Sequence, residues 1–115
     1  MVVDDAAFMR MMVKNALAQG GYTDVCEASD GNEAVQMYAE QQPQLVLMDI
    51  TMPVMNGYEA TSEIRKFSAT VPIIGLTARA FSDDEQEGYD CGMTEYMTKP
   101  INIVQLRMHI SKLLG

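Results

Sequence analysis

The sequence predicts an α/β fold: a doubly wound, five-stranded parallel sheet with helices on both faces. Three observations carry this. Short apolar runs alternate with amphipathic stretches along the whole chain, in a β-then-α order that repeats five times. The run at 45–48, Leu-Val-Leu-Met, lacks polar alternation, which suits a strand buried on both faces. No linker, low-complexity tract or block of like charge interrupts the 115 residues, so 1–115 is expected to form a single domain.

Each element has its own signal. Residues 1–3, Met-Val-Val, read as a short first strand. Residues 6–19 have helical composition, and Gly20-Gly21 ends the helix. Residues 24–28 alternate like a strand. Asp30 and Glu33 have capping-box spacing, which opens a helix running to about Gln41. Pro43 follows, then the strand at 45–48. A loop marked by Pro53 and the Asn56-Gly57 turn pair leads to a helix from Tyr58 to Phe67, with Ala60, Ile64 and Phe67 near one face. Residues 72–76 form a buried strand. Ser82 and Glu85 repeat the capping-box spacing, for a helix running to Cys91 and stopped by Gly92. Residues 95–98 are a short strand. The last helix, 103–114, spaces Ile103, Leu106, Ile110 and Leu113 for one face.

Composition removes several function classes. The formal net charge of −8 disfavours nucleic acid and anionic membrane surfaces, since both need Lys and Arg to displace counterions. No apolar run has the length of a membrane span, and the first ten residues lack the pattern of an export signal. Cys26 and Cys91 stand apart and His109 is the single imidazole, so a zinc site is not expected. Two free thiols and a cytoplasmic location are the simplest reading. His109 itself reads as a solvated helix residue. The eleven methionines read first as adaptable core filler, some of them free to line a partner-binding face.

Ligands of such sheets bind beyond the carboxyl ends of the strands, where the strand order reverses. The residues there are Asp4 and Asp5 after strand 1, Asp49 after strand 3, Thr77 after strand 4 and Lys99 after strand 5. Each alone has a bland explanation: a cap, a strand residue, a solvated cation. If strands 1 and 3 are neighbours, three carboxylates converge, which calls for a positive partner. A hard divalent cation with oxygen ligands fits, Mg²⁺ being the natural one. Lys99 and the Thr77 hydroxyl would add a charge and a donor for a tetrahedral anion.

The segments Val2-Val3-Asp4-Asp5, 46–57 (VLMDITMPVMNG), 75–80 (GLTARA) and 96–100 (YMTKP) resemble, in order and spacing, the response-regulator receiver domains of bacterial two-component and chemotaxis signalling. The resemblance runs end to end. It implies a flavodoxin-like sheet of order 2-1-3-4-5, an order taken from the family. It implies Asp49 as phosphoacceptor, and Asp4, Asp5, Asp49 and the backbone carbonyl of Thr51 as Mg²⁺ ligands. Lys99 would contact a phosphoryl oxygen, Thr77 would move toward it, and Tyr96 would rotate inward with that movement. The implied donor is a phosphohistidine on a histidine kinase or histidine phosphotransfer protein. The implied output is a protein target on the face formed by helix 82–91, strand 95–98 and helix 103–114, including Ala80, Phe81 and Tyr96. Phe8 and Met11 form a weaker candidate patch. The domain would act as a monomeric switch that catalyses only its own phosphorylation and dephosphorylation. Output is expected to pass through another protein or a separated domain. The first sixty or so residues look like a stand-alone chemotaxis regulator, and the stretch 75–101 looks more like receivers attached to hybrid kinases.

Three other classes fit less well. Aspartyl-phosphate phosphatases of the haloacid dehalogenase type carry a second acid where this chain has Thr51. A flavin carrier needs a hydroxyl- and glycine-rich loop where Asp4 and Asp5 would repel the phosphate. A structural pseudo-receiver would not be expected to keep the chemistry at every matching position.

Overall fold

The computed structural model describes residues 1–50, 55–77, 90–99 and 101–114. Its strands are β1 (Val2–Val3), β2 (Glu27–Ala28), β3 (Val46–Asp49), β4 (Ile73–Thr77) and β5 (Glu95–Thr98). They form one parallel sheet in the order β2-β1-β3-β4-β5. The described helices are α1 (Ala7–Gln19), α2 (Gly31–Gln41), α3 (Gly57–Arg65) and a C-terminal helix (Ile103–Leu114). Most of the helix expected over 82–91 lies outside the described residues. Its last two, Asp90 and Cys91, are helical, and Gly92 follows at φ +112° as a helix stop.

Two cores sandwich the sheet, because side chains alternate across a strand. Val3, Met48 and Ile73 point toward α2 and α3, where they meet Ala34, Tyr38, Ala60 and Ile64. Val2, Leu47, Ile74, Leu76 and Met97 point the other way, toward Val13 and Leu17 of α1 and Leu106 and Ile110 of the C-terminal helix. The central strands are buried on both faces, as the unbroken apolar run at 45–48 predicts.

Several boundaries move. The strand expected over 24–28 is ladder-paired only at Glu27–Ala28, because β1 offers just two partners; the Cys26 carbonyl still accepts from Val2 N–H. Asp30 caps α2 through Glu33 N–H, but the Glu33 carboxylate turns to the Ser29 hydroxyl, so the box is half made. A complete box occurs at Asn56 and Glu59, where a turn pair was expected. Asn56 is therefore the N-cap and Gly57 the first residue of α3. Phe67 lies beyond that helix, largely exposed, its ring 6.4 Å from that of Tyr38. Ile103 is also exposed, leaving Leu106 and Ile110 to seat the C-terminal helix.

Candidate functional site

The sheet register sets the site. Val3 is level with Met48, so Asp4 and Asp49 stand next to each other at the ends of β1 and β3. Asp49 is level with Leu76, which puts Thr77 one step further out on β4. Thr77 pairs with Thr98, and Lys99 follows. Four of the expected residues thus line the carboxyl edge on both sides of the β1–β3 junction, where the winding direction reverses.

Three of the four are buried: Asp4, Asp49 and Thr77 are each under 5% exposed. Asp5 is exposed, yet one carboxylate oxygen from each of Asp4, Asp5 and Asp49 falls within 4.8 Å of the others. Lys99 Nζ donates to Asp4 Oδ2 and Asp49 Oδ1, both at 3.1 Å. Burial opposes the charge on Lys99, but the hydrogen bonds to Asp4 and Asp49 outweigh it, and its pKa rises above the ordinary lysine value. Three carboxylates facing one ammonium leave an excess of negative charge. The donors are hard oxygens and the cluster is open to solvent through Asp5, a combination suited to a divalent cation that keeps some of its waters.

Backbone contacts hold these groups in place. Asp4 N–H extends the ladder to the Ala28 carbonyl, and Asp4 Oδ1 accepts from Ala6 N–H at 2.9 Å. Asp4, not Asp5, therefore ties down the entry to α1, whose N-cap Ala6 makes no side-chain cap bond. Gly57 N–H donates to Ile50 O at 3.0 Å, and a Cβ there would sit 2.4 Å from the Asp49 carbonyl oxygen. Only glycine allows the start of α3 to approach the end of β3 this closely.

Sequence reasoning missed some contributors. Arg10 Nη1 donates to the Asp4 carbonyl at 2.6 Å while its Nε holds Glu27. Tyr58, at the start of α3, shares a 2.9 Å hydrogen bond with the Tyr96 hydroxyl. The Asn56 and Glu59 spacing was a readable cap signal; nothing local marked Arg10 or Tyr58. His109, expected to be solvated, is half-buried with Nδ1 4.0 Å from Glu95 Oε2. Phe8 and Met11 are exposed, so they do not serve the core. Beside Lys99, a groove of about 420 Å³ runs between Met9, Met12 and Val13 of α1 and Ile101 and Leu106. Thr51, Ala80 and Phe81 lie outside the described residues. Neither Cys26 nor Cys91 is in a disulfide.

Comparison with known proteins agrees with this edge. The family model described as "Response regulator receiver domain" matches residues 1–111. The chemotaxis protein CheY of Bacillus subtilis is 40% identical over 115 residues, covering 100% of this chain and 96% of that protein. The sensor protein EvgS of Escherichia coli K12 is 36% identical over 113 residues, 98% of this chain but 9% of its own length. Among solved structures, the receiver domain of sensor histidine kinase PA1611 from Pseudomonas aeruginosa superposes with a TM-score of 0.90 at 34% identity, covering 99% of this chain and 94% of that one. That structure is described as having a magnesium ion coordinated in its active site cleft. The chain belongs to the response regulator receiver family of two-component signalling.

Proposed function

We propose that this receiver domain is a phosphorylation switch, in which Asp49 takes a phosphoryl group from a phosphohistidine of a partner histidine kinase or histidine phosphotransfer protein. The observation that carries this is the buried Asp49 carboxylate, 3.1 Å from Lys99 Nζ and clustered with Asp4 and Asp5. Asp4, Asp5 and Asp49, with the Thr51 carbonyl, would hold Mg²⁺. When bound, the ion supplies the positive charge that lets a phosphoryl group approach these carboxylates.

An Asp49 carboxylate oxygen attacks phosphorus as the bond from phosphorus to the donor imidazole nitrogen breaks, leaving an acyl phosphate. The Lys99 ammonium follows the negative charge onto a phosphoryl oxygen. The Thr77 hydroxyl turns toward another, and Tyr96 follows into the space it leaves. The new charge thereby biases an element with two arrangements. Output passes to a protein target through the face made by residues 82–91, β5 and the C-terminal helix, with Ala80 and Phe81 contributing. The apolar groove beside Lys99, lined on one side by Met9, Met12 and Val13, suits the approach of the phosphodonor. We assign the domain as a cytoplasmic monomer that regulates rather than turns over substrate, spanning 1–115 as one unit. It serves either as a chemotaxis-type regulator or as the receiver of a hybrid kinase.

Incubation with acetyl phosphate tests the assignment by intact mass. One added phosphoryl group is expected with Mg²⁺, none with EDTA and none in Asp49→Asn. Equal labelling of that variant would overturn the role of Asp49.

A further inference from the structure

The contacts of Tyr96 carry an inference that rests on the reading of Asp49 as phosphoacceptor and Tyr96 as switch aromatic, and goes beyond it. Gly75 and Tyr96 are register partners between β4 and β5. A Cβ on Gly75 would lie 3.3 Å from the Tyr96 ring and 2.4 Å from the Met93 sulfur. The ring therefore lies across β4 where Gly75 presents no side chain. From there its hydroxyl meets that of Tyr58 at 2.9 Å. Tyr58 is the second residue of α3, and the first, Gly57, is pressed against the Asp49 carbonyl and bonded to Ile50 O. A continuous line of contacts thus runs from the main chain of Asp49 through Gly57 and Tyr58 to Tyr96. Both tyrosines are half-buried against the core under α2 and α3.

We propose that Tyr58 is a positioning residue that latches Tyr96 across Gly75, making the first turn of α3 a second link between the phosphoacceptor and β5. Thr77 lies two residues beyond Gly75 on the same face of β4, at the carboxyl edge. For Tyr96 to move into space vacated at Thr77, its hydroxyl must leave Tyr58. The latch therefore favours the arrangement without a phosphoryl group. Losing one hydroxyl pair of this kind changes such an equilibrium roughly fivefold. Coupling between two sites is reciprocal, so releasing the latch must tighten anion binding at Asp49 by a similar factor.

The test uses the full chain with labelled tyrosine rings, followed by NMR, in wild type, Tyr58→Phe, Tyr96→Phe and the double variant. Beryllofluoride with Mg²⁺ is the phosphoryl mimic. Tyr58→Phe is expected to shift the Tyr96 ring signals before any anion is added, and to tighten beryllofluoride binding about fivefold. Tyr96→Phe should tighten it similarly, and the double variant no further. Unchanged Tyr96 signals, unchanged or weaker binding in Tyr58→Phe, or multiplying effects in the double variant would each overturn the latch. If wild type binds no beryllofluoride, the phosphoacceptor reading fails, while the ring signals still decide whether Tyr58 positions Tyr96.

Discussion

Two partly buried cations anchor opposite kinds of polar cluster. Arg65, at the end of α3, donates from Nε and Nη2 to the Gly92 carbonyl and from Nη1 to the Val71 and Ser68 carbonyls, with Nη2 also reaching Thr94 Oγ1. Thr94 Oγ1 in turn accepts from Ile73 N–H. Its acceptors are neutral, and the planar fork matches them without leaving charge against charge. Lys99, at the sheet's carboxyl edge, faces Asp4 and Asp49 with Asp5 alongside, and negative charge remains in excess. The Arg65 cluster is satisfied by the fold itself and so reads as architecture. The Lys99 cluster keeps an excess of negative charge, a donor set suited to a divalent cation and, in the function proposed, to chemistry.

The contrast predicts that the two clusters respond to different perturbations. Arg65→Met should give the largest stability loss, about 3 kcal/mol, by stranding the partly buried carbonyls at Gly92 and Val71. In urea unfolding the midpoint should fall sharply, while the folded fraction still labels with acetyl phosphate. A loss of labelling in folded protein would erase the distinction between the clusters. Gly57→Ala joins both regions. A Cβ 2.4 Å from the Asp49 carbonyl should cost about 2 kcal/mol and slow labelling as well. A neutral result in thermal melts would mean the approach of α3 to β3 is looser than described.

Metal should separate the clusters further. At Mg²⁺ well above its dissociation constant, wild type should gain about 1–3 kcal/mol by mass action. Asp4→Asn and Asp49→Asn should lose most of that gain, and Arg65→Lys should keep it. A metal-independent melting curve for wild type would contradict the excess-charge account. The smallest effect belongs to Glu27, a solvent-facing control. The hydrogen bond from Lys14 holds its pKa below the ordinary carboxyl value; slight burial opposes this and Arg10 adds to it. A carboxyl with a lowered folded pKa contributes stability above its unfolded pKa, and loses it as pH falls through the folded one. Glu27→Gln should therefore cost under about 1 kcal/mol at neutral pH, and progressively less as the wild-type carboxyl is protonated. A constant difference across that pH range would assign the effect to packing.

Much of this was legible in the chain. Apolar runs ending at Asp4, Asp49 and Thr77 mark both the strands and their carboxyl edge, because burial and chain direction act locally on the sequence. Register was not legible, since it depends on which strand lies beside which; the level pairing of Val3 with Met48 emerges only in the assembled sheet. Tyr58 was hidden for the same reason: its partner Tyr96 is distant in sequence and meets it through the space left by Gly75. Asn56 was misread because the same dipeptide serves turns and helix caps, and Glu59 decides between them. Several methionines fill the cores, as Met48, Met93 and Met97 do, yet Met11, Met12 and Met108 are exposed, and helical spacing alone did not separate the two groups.

Chemical localisation of the phosphoryl group decides whether Asp49 is the acceptor. Protein labelled with acetyl phosphate and Mg²⁺ is reduced with borohydride, which converts an acyl-phosphorylated aspartate to homoserine, then digested and sequenced by mass spectrometry. The account predicts homoserine at position 49, with Asp4 and Asp5 intact. Homoserine at 4 or 5, or stable phosphate on a hydroxyl or on His109 with residue 49 unmodified, would contradict it.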